Sequence, residues 1–223
     1  VCSSDLAHEI KNPLNFVTNF AKLSLELVDE IIESDNKADR EEAGGFLRTN
    51  IDKIYEHGSR ADQIVKGMLE HTRAGSEGNR QPEDLNAMCE QFMGIAAESF
   101  TIANPGFKAD IRLIKDSSLP KVNVASLDFS KVLLNLYTNA LYSMHEVKND
   151  EYKPILTTTL SKAEQSAIIS IKDNGKGVSS EILSKIFNPF FTTKPTGQGT
   201  GLGLSISNDI IKAHGGTISC ISN

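Results

Sequence analysis

HEIKNPLNFVTNFAKLSLELVDEII (His8–Ile32) places apolar residues at Ile10, Leu14, Val17, Ala21, Val28 and Ile31, with Ser24 at the seventh position of the series. Steps of four and three are the signature of a long amphipathic helix. Acidic and polar residues from Glu33 to Glu42, among them Ser34, Asp35 and Asn36, interrupt the pattern. Leu47, Ile51, Ile54, Gly58, Ala61, Val65 and Met68 then resume it. The spacing predicts two facing helices of about 30 residues, each roughly 45 Å long at 1.5 Å per residue. A pair this thin cannot enclose its own apolar stripes, and dimerising into a four-helix bundle would bury them.

Beyond this hairpin the segment AGSEGNRQPED (Ala74–Asp84) is rich in Gly, Pro and polar residues and has no periodicity, which marks a domain boundary. The expected organisation is a helical hairpin over residues 1–74, a linker over 75–84 and a second domain over 85–223. Charge also differs across the boundary: residues 1–74 carry 9 basic and 14 acidic side chains, net −5, whereas 75–223 carry 14 and 15, net −1. In the second domain a helical stretch, Leu85–Phe100, precedes strand-like runs at Ala109–Ile114 and Val122–Val124. A helix from about Ser126 to Val147 comes next. Pro154–Leu160 and Ser166–Lys172 have the β-branched content of a hairpin pair, and a last helix spans about Gly201 to Ala213. The fold class is α+β, with helices layered on a mixed sheet as an α/β sandwich.

Composition narrows the function classes. A chain of 223 residues with 39% hydrophobic content amounts to about one and a half domains at roughly 150 residues each, with enough apolar material for a core. No run reaches the roughly 18 apolar residues of a membrane span, and the amino terminus lacks a signal peptide's charged-then-apolar order, so no direct membrane insertion by this segment is expected. A net charge of −6 provides no overall positive field for nucleic acid. Three cysteines, Cys2, Cys89 and Cys220, form no CxxC pair, so a reducing, cytoplasmic setting is the expectation. Val1–Leu6 bears no relation to the helical repeat after it and matches one translation of a common sequencing adapter, and GGTISCISN (Gly215–Asn223) reads as a strand cut in mid-element. A fragment is expected.

Three groups of residues carry chemistry. At 100° per residue His8 lies about 200° from Ile10 and about 180° from Val17, so it points away from the apolar seam. An exposed imidazole, largely neutral at pH 7 given an unperturbed pKa near about 6.5, offers a lone pair as nucleophile. Glu9 is placed to hold the ring tautomer or accept its proton. Asn12, one turn further on, shares its face and can orient a water or a phosphoryl oxygen. Pro13 is expected to open the helix locally.

The second group is rich in glycine. DNGKGV (Asp173–Val178) comes directly after a strand, and GTGLGLS (Gly199–Ser205) opens the last long helix. Glycines at a helix start let backbone N–H groups approach an anion at the positive end of the dipole, so the two together suggest a nucleotide cleft. Between them NPFFTTKPTGQ (Asn188–Gln198) has the Thr, Gly and Pro of a mobile lid, with Lys194 to reach phosphate and Phe187, Phe190 and Phe191 as an aromatic anchor. A surface loop pinned by aromatics is the plainer alternative. In the third group, NLYTNALYSM (Asn135–Met144), Asn135 and Asn139 lie one turn apart beside Leu133, Leu134, Leu136 and Leu141. Two amides there need polar partners. Hydrated Mg²⁺ with triphosphate oxygens would serve, as would helix caps or backbone groups.

HEIKNPLN, NLYTNA, DNGKGV, FNPFFTTKP and GTGLGLS, in this order, resemble the H, N, first glycine, F and second glycine boxes of sensor histidine kinases of two-component signalling. The resemblance covers nearly the whole chain from Ala7 onward. It implies a dimerisation and phosphoacceptor hairpin succeeded by the ATP-binding α/β sandwich shared with gyrase, Hsp90 and MutL. It further implies His8 as phosphoacceptor, Glu9 as its acidic partner and Asn12 as the residue assisting dephosphorylation of the partner protein. For ATP it implies Asn139 as Mg²⁺ ligand, Asn135 as a phosphate-side contact and Asp173 as acceptor for the adenine amino group. Gly175 and Gly177 then shape the adenine pocket, while Gly199, Thr200, Gly201 and Gly203 bring backbone to the phosphates. The implied partners are a second copy of the chain and a response regulator receiver domain.

The chain departs from the pattern in two places. Many relatives carry a basic residue three places after the second asparagine of the N box, where this chain has Tyr142; Lys194 is the substitute phosphate contact. The closing strand expected of the ATP domain would come after Asn223, which leaves a sheet edge unpaired. Two other functions remain compatible with the boxes: an ATPase switch that modifies no histidine, and a non-catalytic dimeric docking scaffold.

Overall fold

The computed structural model describes residues 3–73, 79–149, 151–195 and 199–222, with the side chains of 3–9, 63 and 66–73 outside the description. Residues up to Thr72 together with Thr192–Gly201 form one compact unit, and Arg73–Phe191 with Leu202 onward form the other.

In the first unit α1 (Ser3–Glu33) and α2 (Lys37–Arg73) are joined by a short turn. The helix-breaking signal spans ten residues in sequence, yet only Ser34, Asp35 and Asn36 leave the helical conformation. The reason is local capping: the Asn36 carboxamide oxygen accepts from the Ala38 N–H at 3.0 Å, and the Ser34 hydroxyl accepts from the Asn36 N–H at 3.2 Å. A side chain that satisfies an orphan helix donor starts α2 at once. α1 runs unbroken through Pro13, whose ring is buried.

The expected apolar seam resolves into two stripes on each helix. On α1 Pro13, Val17, Phe20, Ser24, Leu27 and Ile31 are covered, at four-three spacing. One residue further on, Leu14, Leu25, Val28 and Ile32 are exposed at the same spacing. On α2 Ala43, Leu47, Asn50, Ile54, His57, Ala61 and Ile64 are covered, while Ile51, Tyr55 and Val65 are exposed. The predicted seam draws from both sets: Leu14, Val28, Ile51 and Val65 belong to the exposed one, and the Met68 side chain lies outside the described residues. His57 stacks on Phe16 at a centroid distance of 4.6 Å and on Phe20 at 6.2 Å, which joins α2 to α1.

In the second unit the order is β1 (Gln81–Glu83), α3 (Leu85–Ala103), β2 (Asp110–Ile114), β3 (Val122–Val124), α4 (Ser126–His145), β4 (Ile155–Ala163), β5 (Ser166–Asp173), the short α5 (Ser180–Leu183) and α6 (Gly203–Ala213). β2 pairs parallel with β4, and β4 pairs antiparallel with β5 through an eight-residue register from Leu156↔Asp173 to Ala163↔Ser166. The sheet is therefore mixed. β1 pairs antiparallel with β3 in a separate ribbon. β1 lies inside the segment expected to be linker, because three residues are too few to show a period. The Asp84 carboxylate caps α3 by accepting from the Asn86 and Ala87 N–H groups at 2.9 and 3.3 Å, a cap whose loss costs about 0.5–2 kcal/mol.

Helices α3 and α4 cover the sheet. Met88, Cys89 and Met93 of α3, Leu133, Tyr137, Leu141 and Met144 of α4, and Leu156 and Leu160 of β4 form one core cluster. Inside it the Thr158 hydroxyl donates to the Tyr137 hydroxyl at 3.3 Å. A second cluster of Val132, Leu202, Ile206 and Ile210 seats α6 on α4, with Phe190 packed against it. Residues 216–222, expected to open a strand, form none: they have no ladder partner, and Ile221 is 87% exposed. Among the described residues β5 is paired along one edge only.

Burial raises the Cys89 thiol to about 11, so its thiolate is scarce at neutral pH. We expect Cys89 to resist iodoacetamide at pH 8 in the folded chain and to react fully in guanidinium, while the exposed Cys220 reacts in both conditions. Peptide mass mapping reads this out.

Candidate functional site

The second unit gathers its polar residues along one side of α4. Tyr137, Leu133 and Leu141 face the core. With 3.6 residues per turn, Asn135 and Asn139 fall on the opposite, half-buried side, with Ser143 one turn beyond. Two glycine segments approach this side from different directions.

At one end α6 meets Asn135. The Asn135 amide nitrogen donates to the Gly203 carbonyl at 3.1 Å and to the Ser207 hydroxyl at 3.4 Å. A Cβ on Gly203 would lie 3.3 Å from the Asn135 Cγ, so the approach is close but tolerates small adjustment. At the other end the loop after β5 folds over Ser143. The Lys176 N–H donates to the Ser143 carbonyl at 3.3 Å, and the Lys176 ammonium pairs with Glu146 at 3.1 Å. Gly175 allows no side chain: a Cβ would lie 2.6 Å from the Ser143 carbonyl carbon and 2.8 Å from an Asp173 carboxylate oxygen.

Asp173 ends β5 and accepts from the Gly175 N–H at 2.8 Å. Asn174 fixes the turn behind it. Its Oδ1 accepts from the Tyr152 hydroxyl and the Ile155 N–H, both at 2.8 Å, and its Nδ2 donates to the Lys153 carbonyl at 2.9 Å. The turn's backbone is left-handed at Gly177, φ 64°, where glycine carries no Cβ penalty. The carboxylate is thus held in a loop anchored to both α4 and β4.

In the first unit Lys194, Gly199, Thr200 and Gly201 lie in the segment Thr192–Gly201. The Lys194 N–H donates to the Thr192 hydroxyl at 3.1 Å, and a Cβ on Gly199 would lie 2.7 Å from that hydroxyl oxygen, so the two ends of the loop close on each other. Residues 196–198 of this loop lie outside the described residues. Burial holds the Lys194 ammonium below its usual range. Gly201 is left-handed, φ 68°, two residues before α6 begins at Gly203. Of the expected aromatic anchors, Phe190 packs on the α6 cluster, while Phe187 and Phe191 are half-buried.

Asn12 is exposed on α1, and the side chains of His8 and Glu9 lie outside the described residues. The structure therefore brings Asn135 to Gly203 and Asp173 to Gly175, all in the second unit. It also reveals contacts that the boxes do not single out. Asn174, inside the first glycine box, is legible as the Asx residue of a turn. Ser207 lies four residues after Gly203, the spacing of a hydroxyl that bonds back to a helix carbonyl. His214 accepts from the Ala125 N–H through Nε2 at 2.9 Å, and its Nδ1–H donates to the Ile210 carbonyl at 2.7 Å. The imidazole ties the end of α6 to the start of α4, as expected of a structural histidine.

Residues 2–77 match the His Kinase A (phospho-acceptor) domain, and residues 125–223 match the histidine kinase-, DNA gyrase B-, and HSP90-like ATPase. The chain belongs to the histidine kinase family of two-component signalling, as a phosphoacceptor domain succeeded by an ATP-binding domain. It is 29% identical over 220 residues to the sensor histidine kinase ZraS of Escherichia coli (strain K12), covering 99% of this chain and 42% of that protein. It is 29% identical over 221 residues to the sensor protein FixL of Bradyrhizobium diazoefficiens, covering 99% of this chain and 40% of that protein. The chain thus spans about two fifths of the length of these relatives. A crystal structure of full-length ShkA in complex with AMPPNP shares the fold, with a TM-score of 0.56 at 19% identity, over 96% of this chain and 42% of that one. Among the described residues no helix is long and apolar enough to cross a membrane.

Gly175→Ala should be the most damaging single methyl in this unit, because backbone rather than a flexible side chain opposes it. We expect a loss of about 2–4 kcal/mol in chemical denaturation, the scale of a strained, overpacked site. Gly203→Ala should cost under about half of that.

Proposed function

We propose that this chain is the core of an ATP-dependent protein histidine kinase that phosphorylates His8 and passes the phosphoryl group to an aspartate of a response regulator receiver domain. The observation that carries the reading is the presence, in one chain, of a phosphoacceptor-domain match containing HEIKNPLN and an ATPase-domain match in which α4 and two glycine turns converge. The hairpin, residues 1–74, is the phosphoacceptor and docking domain. The ATP-binding domain takes up the rest after the linker, with β1 included because it pairs only with β3.

The residues present fit ATP. Gly175 lets the turn that holds Asp173 pack directly on Ser143, where a Cβ would clash, and the Asp173 carboxylate is an acceptor suited to the adenine amino group. Gly177 shapes the same pocket. Gly199, Thr200, Gly201 and Gly203 lead along the chain into the first turn of α6, whose backbone donors suit phosphate, and the Lys194 ammonium is a cation of the kind that contacts phosphate. Among the described residues no group of three His, Cys, Asp or Glu could hold a metal ion. A Mg²⁺ ion would therefore share Asn139 with phosphate oxygens, as this ion commonly does, and when bound would neutralise developing charge on the phosphates.

In the transfer itself the neutral His8 nitrogen forms a bond to the γ-phosphorus as the bond to the ADP oxygen breaks. The proton lost from the ring goes to Glu9. Positioning and charge neutralisation supply most of the rate. Asn12 orients water for the reverse, hydrolytic duty toward the phosphorylated partner.

We further infer that the chain works as a homodimer. α1 has an exposed apolar stripe one residue out of phase with its covered stripe, and α2 exposes Ile51, Tyr55 and Val65 in the same phase, which is the pattern of a four-helix bundle divided between two chains. The double variant Leu25→Glu, Ile32→Glu should sediment as a monomer and keep most of its helical circular dichroism, since neither residue is in the covered stripe.

With γ-labelled ATP and Mg²⁺, the parent chain should acquire label that is lost in acid and kept in alkali, and His8→Gln should acquire none. ATP turnover unchanged in His8→Gln with no labelled protein would identify an ATPase switch instead, and ATP binding without label on the parent would leave a docking scaffold.

A further inference from the structure

Ser207 belongs to none of the sequence boxes, yet it is fully buried. Its hydroxyl donates to the Gly203 carbonyl at 2.8 Å and accepts from the Asn135 amide at 3.4 Å, while that amide also donates to Gly203 at 3.1 Å. Three groups on two helices close a triangle at the head of α6. Below it α6 is held by Val132, Leu202, Ile206 and Ile210, and apolar packing of this kind is non-directional. Hydrogen bonds are directional, so the triangle fixes how far the first turn of α6 is rotated and advanced on α4.

The Asn135 amide nitrogen is turned toward two acceptors of α6, the Gly203 carbonyl and the Ser207 hydroxyl. The other polar atom of the carboxamide is an acceptor, which has nothing to offer an anion. We propose that Ser207 and Asn135 are positioning residues that set the orientation of the phosphate-binding turn of α6, with Asn135 acting through Gly203 instead of touching phosphate. The inference rests on the reading of α6 as the phosphate end of an ATP site. It makes Ser207 a determinant of affinity for the triphosphate but not for the adenosine end, which is read by Asp173.

The test measures affinities for ATP and for adenosine by competition against a fluorescent ATP analogue, together with thermal stability without nucleotide, in the parent, Ser207→Ala, Asn135→Ala and the double variant. ATP affinity should fall about three- to tenfold in each single variant, the scale of one or two ordinary hydrogen bonds, with adenosine affinity unchanged within about twofold. The double variant should be no weaker than the weaker single, because residues of one latch are not additive. If Ser207→Ala proves too unstable to assay, Ser207→Cys, which keeps an atom in place but weakens both hydrogen bonds, must show the same loss confined to ATP. ATP affinity unchanged in Ser207→Ala and lowered in Asn135→Ala would make Asn135 a direct phosphate contact and overturn the proposal. Equal losses for ATP and adenosine would mean general loosening and overturn it as well. A parent that binds neither nucleotide nor adenosine would remove the ATP reading itself, an outcome distinct from either.

Discussion

The second unit depends on the two-sidedness of α4. One side carries Leu133, Tyr137, Leu141 and Met144 into the core, each 1% exposed or less. The other carries Asn135, Asn139 and Ser143. The Tyr137 hydroxyl meets Thr158 inside that core, and among the described residues no buried side-chain nitrogen or oxygen lacks a partner. A helix whose apolar side is packed to crystal-like density cannot rotate without opening cavities, and the buried hydroxyl pair would be broken as well. The rotation that buries Tyr137 is therefore what presents the amides. Core and site are two consequences of one helical phase.

The glycine turns reach that side for different physical reasons. Gly175 is required by proximity, since the Ser143 backbone occupies the space where its side chain would be. Gly177 is placed by dihedral angle, with positive φ. Gly203 combines a close approach with a carbonyl that α4 grips through Asn135. A run of glycines in sequence thus divides into separate requirements, and the motif as a whole is more specific than any one of its members. Asn174 and His214 complete the frame, the first tying the Asp173 turn to β4 and the second tying the end of α6 to the start of α4. His214 makes both contacts only as a neutral ring with its proton on Nδ1.

Most of the fold is legible in the sequence because its long elements repeat a period. Apolar spacing locates α1 and α2, and β-branched runs bounded by turn residues locate β4 and β5. The misses have a common cause, which is that periodicity says nothing about short or cooperative features. β1 is too short to repeat. The hairpin turn needs only Ser34–Asn36, since capping by one side chain outweighs the polar composition around it. Residues 216–222 have strand-like composition, but a strand is defined by its partner, and composition does not supply one. In the site, the boxes identify Asn135 without revealing that its donors face Gly203 and Ser207, because a contact between residues 68 and 72 positions apart is invisible to local pattern.

The hairpin shows the same limit from the opposite direction. Its sequence reads as a single seam, whereas the helices carry two stripes displaced by one residue, about 100° around the axis. A strict heptad seam two positions wide would suffice for two helices. The wider apolar arc, with Pro13, Val17 and Phe20 covered and Leu14, Leu25 and Ile32 exposed, exceeds what one hairpin can bury. Exposed apolar side chains scattered singly need no explanation, but a stripe that keeps four-three spacing along α1 does. The excess is the width a helix needs when it touches two neighbours at once, which is what supports the proposed homodimer.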